Sequence, residues 1–267
     1  MRKPVAATPA WVLPAAVVVG LALVVTTFLI ARWYLTPLPP KAPSADTTAQ
    51  VISIITTLPS SEFDSVGQGT ATSLIKPVSG SGLTGTTGKP EVVYVGAEYC
   101  PYCAAQRWPL IIALSRFGTF TGLQTTTSSS TDAFPNTVTF TFRGATYTSQ
   151  YIDFHSVETL DRDQKPLQTP SSADRQLLDK YDSGGTIPFI DYGNRFASVG
   201  AYYQPDAIAG MSWLALADAL KQPDSTQAKA IIGSANYMTA AICKMTGDQP
   251  AAVCSSATIQ NLEKNLK

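Results

Sequence analysis

The sequence is poor in charge and has a single histidine. Only 14% of its 267 residues are charged, and 19 basic residues balance 19 acidic ones, so the formal net charge is zero. No stretch concentrates lysine and arginine, and a chain without a basic surface has no general attraction for the phosphates of nucleic acids. The glycine-rich residues 80–88 lack the lysine and the spacing of a phosphate-binding loop. The sequence therefore predicts no nucleic-acid partner.

The scarcity of histidine also limits catalysis. His155 is the only imidazole, so any Ser/His/Asp or Cys/His mechanism would have to use it. His155 lies at the end of a predicted strand, and we interpret it as a surface residue rather than as a catalytic base. The nearby Glu158, Asp161 and Asp163 could bind a cation, but an ordinary solvated loop is favoured.

One long apolar run stands at the amino terminus. Residues 11–31, WVLPAAVVVGLALVVTTFLIA, contain no charge, and about 20 apolar residues suffice to cross a bilayer as a helix. The run is longer than the apolar part of a cleaved signal peptide. We therefore expect an uncleaved transmembrane signal-anchor at residues 11–35, inserted in the lipid bilayer and preceded by a short cytoplasmic segment, residues 1–10.

The cysteines indicate the orientation. All four follow the apolar run, and an even number of cysteines is expected in a domain outside the cytoplasm, where disulfides persist. Residues 36–48 are rich in proline, serine and threonine and predict a linker. The expected protein is a single-pass protein of the cell membrane, with its amino terminus in the cytoplasm and an extracytoplasmic domain at residues 49–267.

Alternation of strands and helices predicts the fold class of this domain. The run PEVVYVGA at 90–97 is rich in β-branched residues, as in a strand buried on both faces. Residues 137–154 alternate as strands do, with a turn at Arg143-Gly144, and 186–201 predict two strands joined near Gly193-Asn194. Helices are predicted at 172–185, 205–221 and 225–245. This order indicates an α/β or α+β sandwich.

The pair Cys100 and Cys103 lies between the first of these strands and a helix. Dithiol chemistry needs a thiolate, and a cysteine exposed at a helix amino terminus has a lowered pKa. Cys100 would cap the helix, and Pro101 would occupy its first position, where no backbone N–H is needed. Cys103 would lie one turn along and shielded, able to resolve a mixed disulfide.

This arrangement resembles the thioredoxin superfamily: a strand, Cys-Pro-Tyr-Cys, a helix, and a later Thr-Ile-Pro before a hairpin. More closely, residues 88–120, 187–194 and 242–254 resemble an uncharacterised family of membrane-anchored thioredoxin-like proteins, known only as a domain of unknown function. The resemblance implies a thioredoxin-like α/β/α sandwich with an insertion and extra helices.

The resemblance also implies roles for residues. Cys100 would be the nucleophile and Cys103 the resolving thiol. Pro188 would match the superfamily's cis-proline, and Ile187 would offer its backbone to an extended client. The residues expected to support the site or bind substrate are Glu98, Tyr99, Pro101, Tyr102, Ile187 and Pro188.

Three departures from the superfamily pattern stand out. Tyr99 occupies the position where thioredoxins usually carry tryptophan. Tyr94 replaces a buried aspartate that handles the proton of the resolving thiol, and Glu98 is a nearby candidate for that task. The region 125–185 is longer than usual and is expected to shape substrate access.

Other interpretations of the cysteines remain open at this point. Four cysteines could form a zinc site, although the spacing between Cys243 and Cys254 is outside the usual ligand spacing. Cys100 and Cys103 could also form a purely structural disulfide. For Cys243 and Cys254, a structural disulfide across a helix end is favoured over a second redox pair.

The expected function is thiol–disulfide exchange on secreted or envelope proteins. Its partners would be client proteins with thiols or disulfides and a membrane redox partner, because one dithiol stops after one turnover; no cofactor and no metal are expected. Whether the protein oxidises, isomerises or reduces its clients does not follow from the sequence. A binding or scaffold module with structural disulfides is the alternative, and a reductant for metal- or haem-protein maturation is a further one.

Overall fold

The computed structural model describes residues 12–35 and 40–266. The α-helices are α1 Val12–Leu35, α2 Ala45–Thr56, α3 Ser60–Val66, α4 Pro101–Ser115, α5 Ser172–Tyr181, α6 Trp213–Ala219, α7 Thr226–Thr246, α8 Ala251–Cys254 and α9 Ala257–Glu263. The strands are β1 Lys76–Pro77, β2 Glu91–Gly96, β3 Gly118–Thr121, β4 Gln124–Thr127, β5 Val138–Thr141, β6 Thr146–Ser149, β7 Asp153–Glu158, β8 Phe189–Tyr192 and β9 Phe196–Val199. A 3₁₀ helix covers Pro205–Ile208.

The chain divides into two units, residues 1–38 and 39–267. The first contains α1, whose side chains are described for residues 17–31 and are almost all exposed. Among the described residues, no helix combines the length and the hydropathy that crossing a membrane requires. The expected cytoplasmic segment 1–10 and the first part of the expected linker, 36–39, lie outside the described residues.

A mixed five-stranded sheet forms the centre of the second unit, in the order β1-β9-β8-β2-β7. Strands β2 and β7 run parallel, whereas β8 is antiparallel to both β2 and β9. The predicted strand at 90–97 and the predicted hairpin at 186–201 are confirmed with slightly shorter bounds. Gly193, at φ 65°, stands in the hairpin turn, where glycine adopts a left-handed conformation at little cost. The second unit is therefore a mixed α/β domain.

Strand β2 is buried on both faces, as its run of β-branched residues predicts. Val92 and Tyr94 point into the main core, which α4 and α7 cover. Val93 and Val95 point to the opposite face, into a smaller cluster that includes residues of α5. Alternate residues of a strand point to opposite faces. The sheet that contains β2 therefore forms a layer between helices on its two sides.

The strands between α4 and β7 pair differently from the local pattern in the sequence. A turn does occur near Arg143-Gly144, but β5 and β6 on either side of it do not pair with each other. Strand β5 pairs with β4, and β6 pairs with β3, in two separate antiparallel ladders. Indole N–H groups hold β5 in place, because Trp108 donates to the carbonyl of Val138 at 2.9 Å and Trp213 to that of Thr139 at 2.6 Å. Tertiary bonds thus override the local hairpin signal.

Cys243 and Cys254 form a disulfide, with Cα atoms 5.6 Å apart, which confirms the predicted pairing of these two cysteines. Both residues are buried, at the end of α7 and of α8. The Cys₄ zinc site is therefore wrong, because these two sulfurs are bonded to each other. The predicted helix at 205–221 is also corrected: it consists of the 3₁₀ helix and the short α6.

Replacing Cys243 and Cys254 together by alanine should lower the free energy of unfolding by about 3 kcal/mol. A disulfide that closes a loop of this length restricts the unfolded chain by about that amount, and the two residues are 11 apart. Denaturant titration of the full chain measures the difference. The exposed neighbour variant Ser255→Ala should unfold like the wild type, and an unchanged double variant would contradict the structural role.

Asp191, on β8, is a buried carboxyl that makes stability depend on pH. Burial raises its pKa to about 7, the charge of Glu91 adds to this, and a hydrogen bond from the backbone N–H of Asn194, at 2.7 Å, opposes it. A raised pKa in the folded state means that this group contributes stability below the unfolded value of about 4 and that the contribution is lost as pH rises through about 7.

The variant Asp191→Asn should therefore be more stable than the wild type at pH 8 and should lose that advantage at pH 5. Asparagine keeps an oxygen for the Asn194 N–H but carries no charge. Thermal melts of both proteins from pH 5 to pH 8 measure the difference in Tm. Parallel Tm curves across this range would show that Asp191 does not titrate as described.

Candidate active site

Cys100 caps the amino terminus of α4, as predicted. It has extended backbone geometry, Pro101 opens the helix, and the Cys100 Sγ accepts the backbone N–H of Cys103 at 3.3 Å. Three residues separate the end of β2 from this cap. The Cys103 side chain is fully buried, which confirms its expected shielded position. The two cysteines are present as free thiols.

The two thiols have opposite electrostatic surroundings. The pKa of Cys100 is lowered to about 7, chiefly because the Cys103 side chain donates a hydrogen bond to it. Burial opposes this shift, while the backbone N–H of Cys103 and the charge of Arg107 add to it. Burial raises the pKa of Cys103 well above its ordinary value. At neutral pH, Cys100 is the thiol that can act as a nucleophile.

The expected exposure of Cys100 is wrong. Only 7% of its surface is accessible, although a nucleophile at a helix cap was expected to be open to solvent. Part of the cover is the carbonyl oxygen of Ile187, 4.0 Å from the Sγ. Little of Cys100 is therefore open to a partner in this conformation.

The Ile187–Pro188 peptide bond is cis, as the resemblance implied. Ile187 is half-buried and precedes β8. Within residues 40–266, its carbonyl has the Cys100 thiol as neighbour, and no backbone hydrogen bond uses it. The structure thus brings together Cys100, Cys103, Ile187 and Pro188 from two distant parts of the chain.

A buried ion pair that sequence reasoning missed joins the helix α4 to the end of β7. The Arg107 Nε and Nη2 donate to the two oxygens of Glu158 at 2.8 and 2.6 Å, and Nη2 also donates to the Ala97 carbonyl at 2.8 Å. Both side chains are completely buried. The sequence pattern favoured a solvated loop for Glu158, and this interpretation is wrong because the side chain is buried in the ion pair. The sequence does contain one sign that Arg107 lies near the site. Arg107 follows Cys103 by four residues, which places both side chains on one face of the helix.

Tyr94 of β2 lies next to this pair. The Arg107 guanidinium carbon is 5.8 Å from the centre of its ring. In the described part of the chain, neither the Tyr94 hydroxyl nor the Arg107 Nη1 has a hydrogen-bond partner. A Cβ on Gly96 would lie 2.2 Å from the Tyr94 hydroxyl, so this position requires glycine. Cys103 therefore interacts electrostatically with a buried phenol, that of Tyr94, and with a buried cation, Arg107, which is paired with Glu158.

The remaining predicted site residues line the surroundings of Cys100. Glu98 is nearly buried, and its backbone N–H bonds to the Leu160 carbonyl at 2.8 Å. The Tyr99 carbonyl accepts the N–H of Ser129 at 2.9 Å, which attaches the loop 128–136 to the cysteine turn. Tyr102 is exposed on the first turn of α4. The inserted region therefore does border the cysteines.

Other candidates lie elsewhere. His155 is on β7, partly exposed, and its Nε2 lies 3.1 Å from the Asp174 carboxylate, which agrees with the favoured interpretation as a surface residue. Asp161 accepts backbone N–H groups of Asp163 and Lys165 within its own loop. Over the described residues, no group of three or more histidine, cysteine or acidic side chains is placed to hold a metal ion.

The fold and site define a mixed α/β domain with a Cys-x-x-Cys pair at the start of a buried helix. The family model described as a domain of unknown function, DUF929, matches residues 77–244, which include all of this site. The chain belongs to that family. Comparisons with curated proteins and with solved structures find no match.

Changes to the Arg107–Glu158 pair should move the pKa of Cys100 in opposite directions. The double variant Arg107→Met/Glu158→Leu removes the cation without leaving a buried charge, so the pKa should rise from about 7 towards the ordinary value of about 8.5. Glu158→Gln keeps an acceptor for Arg107 but removes the compensating charge, so the pKa should fall.

The rate of iodoacetamide alkylation of the full chain against pH measures both shifts, with Cys100→Ser giving the background. The exposed variant Lys76→Met, a change of one positive charge on β1, should leave the profile unchanged. Shifts of the same sign in both Arg107–Glu158 variants would show that the pair acts only through packing.

Proposed function

We propose that this protein is a membrane-anchored, extracytoplasmic thiol–disulfide oxidoreductase with a thioredoxin-like fold. The observation that carries the proposal is the Cys100 Sγ at the cap of α4, which accepts the Cys103 N–H at 3.3 Å and has a pKa lowered to about 7. A thiolate stabilised at a helix amino terminus beside a buried second thiol is the arrangement that dithiol exchange requires.

The exchange proceeds in two steps. The Cys100 thiolate attacks one sulfur of a client disulfide, that S–S bond breaks, and the other client sulfur leaves as a thiolate that takes up a proton. Cys103 then loses its proton and attacks the Cys100 Sγ, which forms the Cys100–Cys103 disulfide and releases the reduced client. The reverse sequence oxidises a client dithiol. Continued turnover needs a membrane partner that is a dithiol reductant or a disulfide oxidant.

Two further observations support the proposal. The Ile187 carbonyl lies beside the Cys100 Sγ, so an extended client could bond to this backbone while its sulfur reacts. The sheet places β2 parallel to β7 and antiparallel to β8, with helices on both faces, an arrangement that agrees with a thioredoxin-like sandwich.

The membrane anchor is proposed from the apolar run in the sequence. Among the side chains of α1 that the structure describes, residues 17–31, ten large apolar ones are more than half exposed, for example Val24 at 67% and Phe28 at 65%. Insertion in lipid would remove this apolar surface from water, which is favourable in free energy. Extraction of cell membranes with alkaline carbonate tests this: the chain should stay in the pellet, and release into the supernatant would contradict an anchor.

A binding or scaffold module remains the second candidate, and one observation favours it. Cys100 is only 7% accessible, and a thiol that no client reaches would make Cys100 and Cys103 structural. This candidate and the oxidoreductase differ in whether a client peptide becomes covalently attached.

The test uses the full chain in mild detergent with a peptide that contains one disulfide. Cys103→Ser should accumulate a mixed disulfide between Cys100 and the peptide, and Cys100→Ser should form none. Glutathione titration of the wild type with thiol trapping then gives the reduction potential of the pair.

A potential between about −120 and −200 mV indicates an oxidant or isomerase, and one near about −270 mV a reductase. The absence of an adduct, together with a potential below about −300 mV, would make the pair structural and support the binding module.

A further inference from the structure

An aromatic side chain is exposed beside the reacting sulfur. Tyr102 is 37% accessible and is the most exposed large apolar residue of the segment 40–266. It lies two residues after Cys100 on the first turn of α4. The other large apolar side chains of residues 40–266 are buried or half-buried, so Tyr102 offers the exposed aromatic surface of this segment two residues from the nucleophile.

A second aromatic ring from the inserted region completes this surface. The ring of Phe134 meets that of Tyr102 edge to face, with centroids 5.9 Å apart and an interplanar angle of 90°. The Phe134 carbonyl accepts hydroxyl hydrogen bonds from Ser128 at 3.1 Å and from Thr137 at 2.9 Å. The loop 128–136 is in turn attached to the Tyr99 carbonyl through Ser129. The ring pair is therefore held in a fixed position beside Cys100.

The geometry points to Tyr102 and Phe134 as a subsite for a large apolar side chain of an extended client, two positions from the client cysteine that reacts with Cys100. This inference rests on the proposed function and adds the class of client. A client that bonds to the Ile187 backbone must be extended there, and residues two apart in an extended chain point to the same side about 7 Å apart. The client sulfur then reaches Cys100 while the side chain two positions away reaches the ring pair.

The apolar character of the subsite follows from its composition. Two rings in edge-to-face contact offer apolar area, and the nearest acidic side chain on the loop, Asp132, bonds back to the N–H of Ala133 at 2.6 Å. A leucine or phenylalanine of the client would bury area on both rings, whereas a serine would not. Replacing a large apolar side chain by a small polar one in an apolar subsite changes kcat/KM by about tenfold or more.

The experiment uses the full chain with Cys103→Ser, which stops the reaction at the mixed disulfide. The probes are fluorescent peptides whose single cysteine is joined to glutathione, with leucine or serine two positions before or after it. The Cys100 thiolate attacks the peptide sulfur, the S–S bond breaks, and glutathione leaves as a thiolate that is protonated by solvent. The rate of adduct formation is measured for each peptide.

We expect leucine in one of the two positions to react about tenfold faster than serine. Phe134→Ser should bring this ratio close to one, and Phe134→Leu should retain most of it, which separates loss of the apolar contact from misfolding. The matched control is Tyr151→Ser, which removes a half-buried ring just before β7, at the opposite end of the parallel strands from Cys100.

Oxidised glutathione alone serves as a probe of Cys100 itself. If neither glutathione nor any peptide forms an adduct, the proposed exchange function is wrong. If all probes react but leucine and serine peptides do so equally, or if Phe134→Ser leaves the ratio unchanged, exchange stands and the aromatic subsite is overturned.

Discussion

The buried ion pair between Arg107 and Glu158 joins the three segments on which the cysteine site depends. Arg107 belongs to α4, Glu158 ends β7, and the Ala97 carbonyl that shares the guanidinium lies between β2 and the cysteines. Removing two charges from water is costly, and only near-ideal geometry with further hydrogen bonds offsets that cost. Loss of either partner would leave an uncompensated charge under Cys103. The first turn of α4 is therefore fixed relative to the ends of two parallel strands.

The inserted strands extend this fixed frame to the outer side of α4. Besides the two indole bonds to β5, the Thr139 hydroxyl donates to the Ala104 carbonyl at 2.8 Å, one residue beyond Cys103. The loop 128–136 follows directly from strand β4 and leads into β5. The strand after the loop is bonded to α4, and Ser129 near its start is bonded to the Tyr99 carbonyl just before Cys100. The loop is therefore held against the site at both ends.

Local signals in the sequence were sufficient for part of this structure. The strand at 90–97, the cap at Cys100 and the Cys243–Cys254 bond each follow from residues close in sequence, and the structure confirms them. The pairing of β5 with β4, the Arg107–Glu158 bond and the cover over Cys100 depend on contacts between distant residues. In a single sequence, the spacing of Arg107 from Cys103 indicates a shared helix face, but no periodicity or cap identifies the distant partner of either residue. Glu158, for example, is indistinguishable by composition from the solvated acids that follow it.

The burial of Asp191 has a consequence for how the protein would respond to an acidic environment. Its carboxyl and the Cys100 thiol both titrate near pH 7, but protonation has opposite effects at the two groups. Acidification quenches the nucleophile at Cys100, and the same protonation relieves an unfavourable buried charge on β8, the strand that follows Ile187 and Pro188. Mild acidification would thus lower the reactivity of Cys100 while it removes one unfavourable charge from β8, and neutralisation would restore the reactivity.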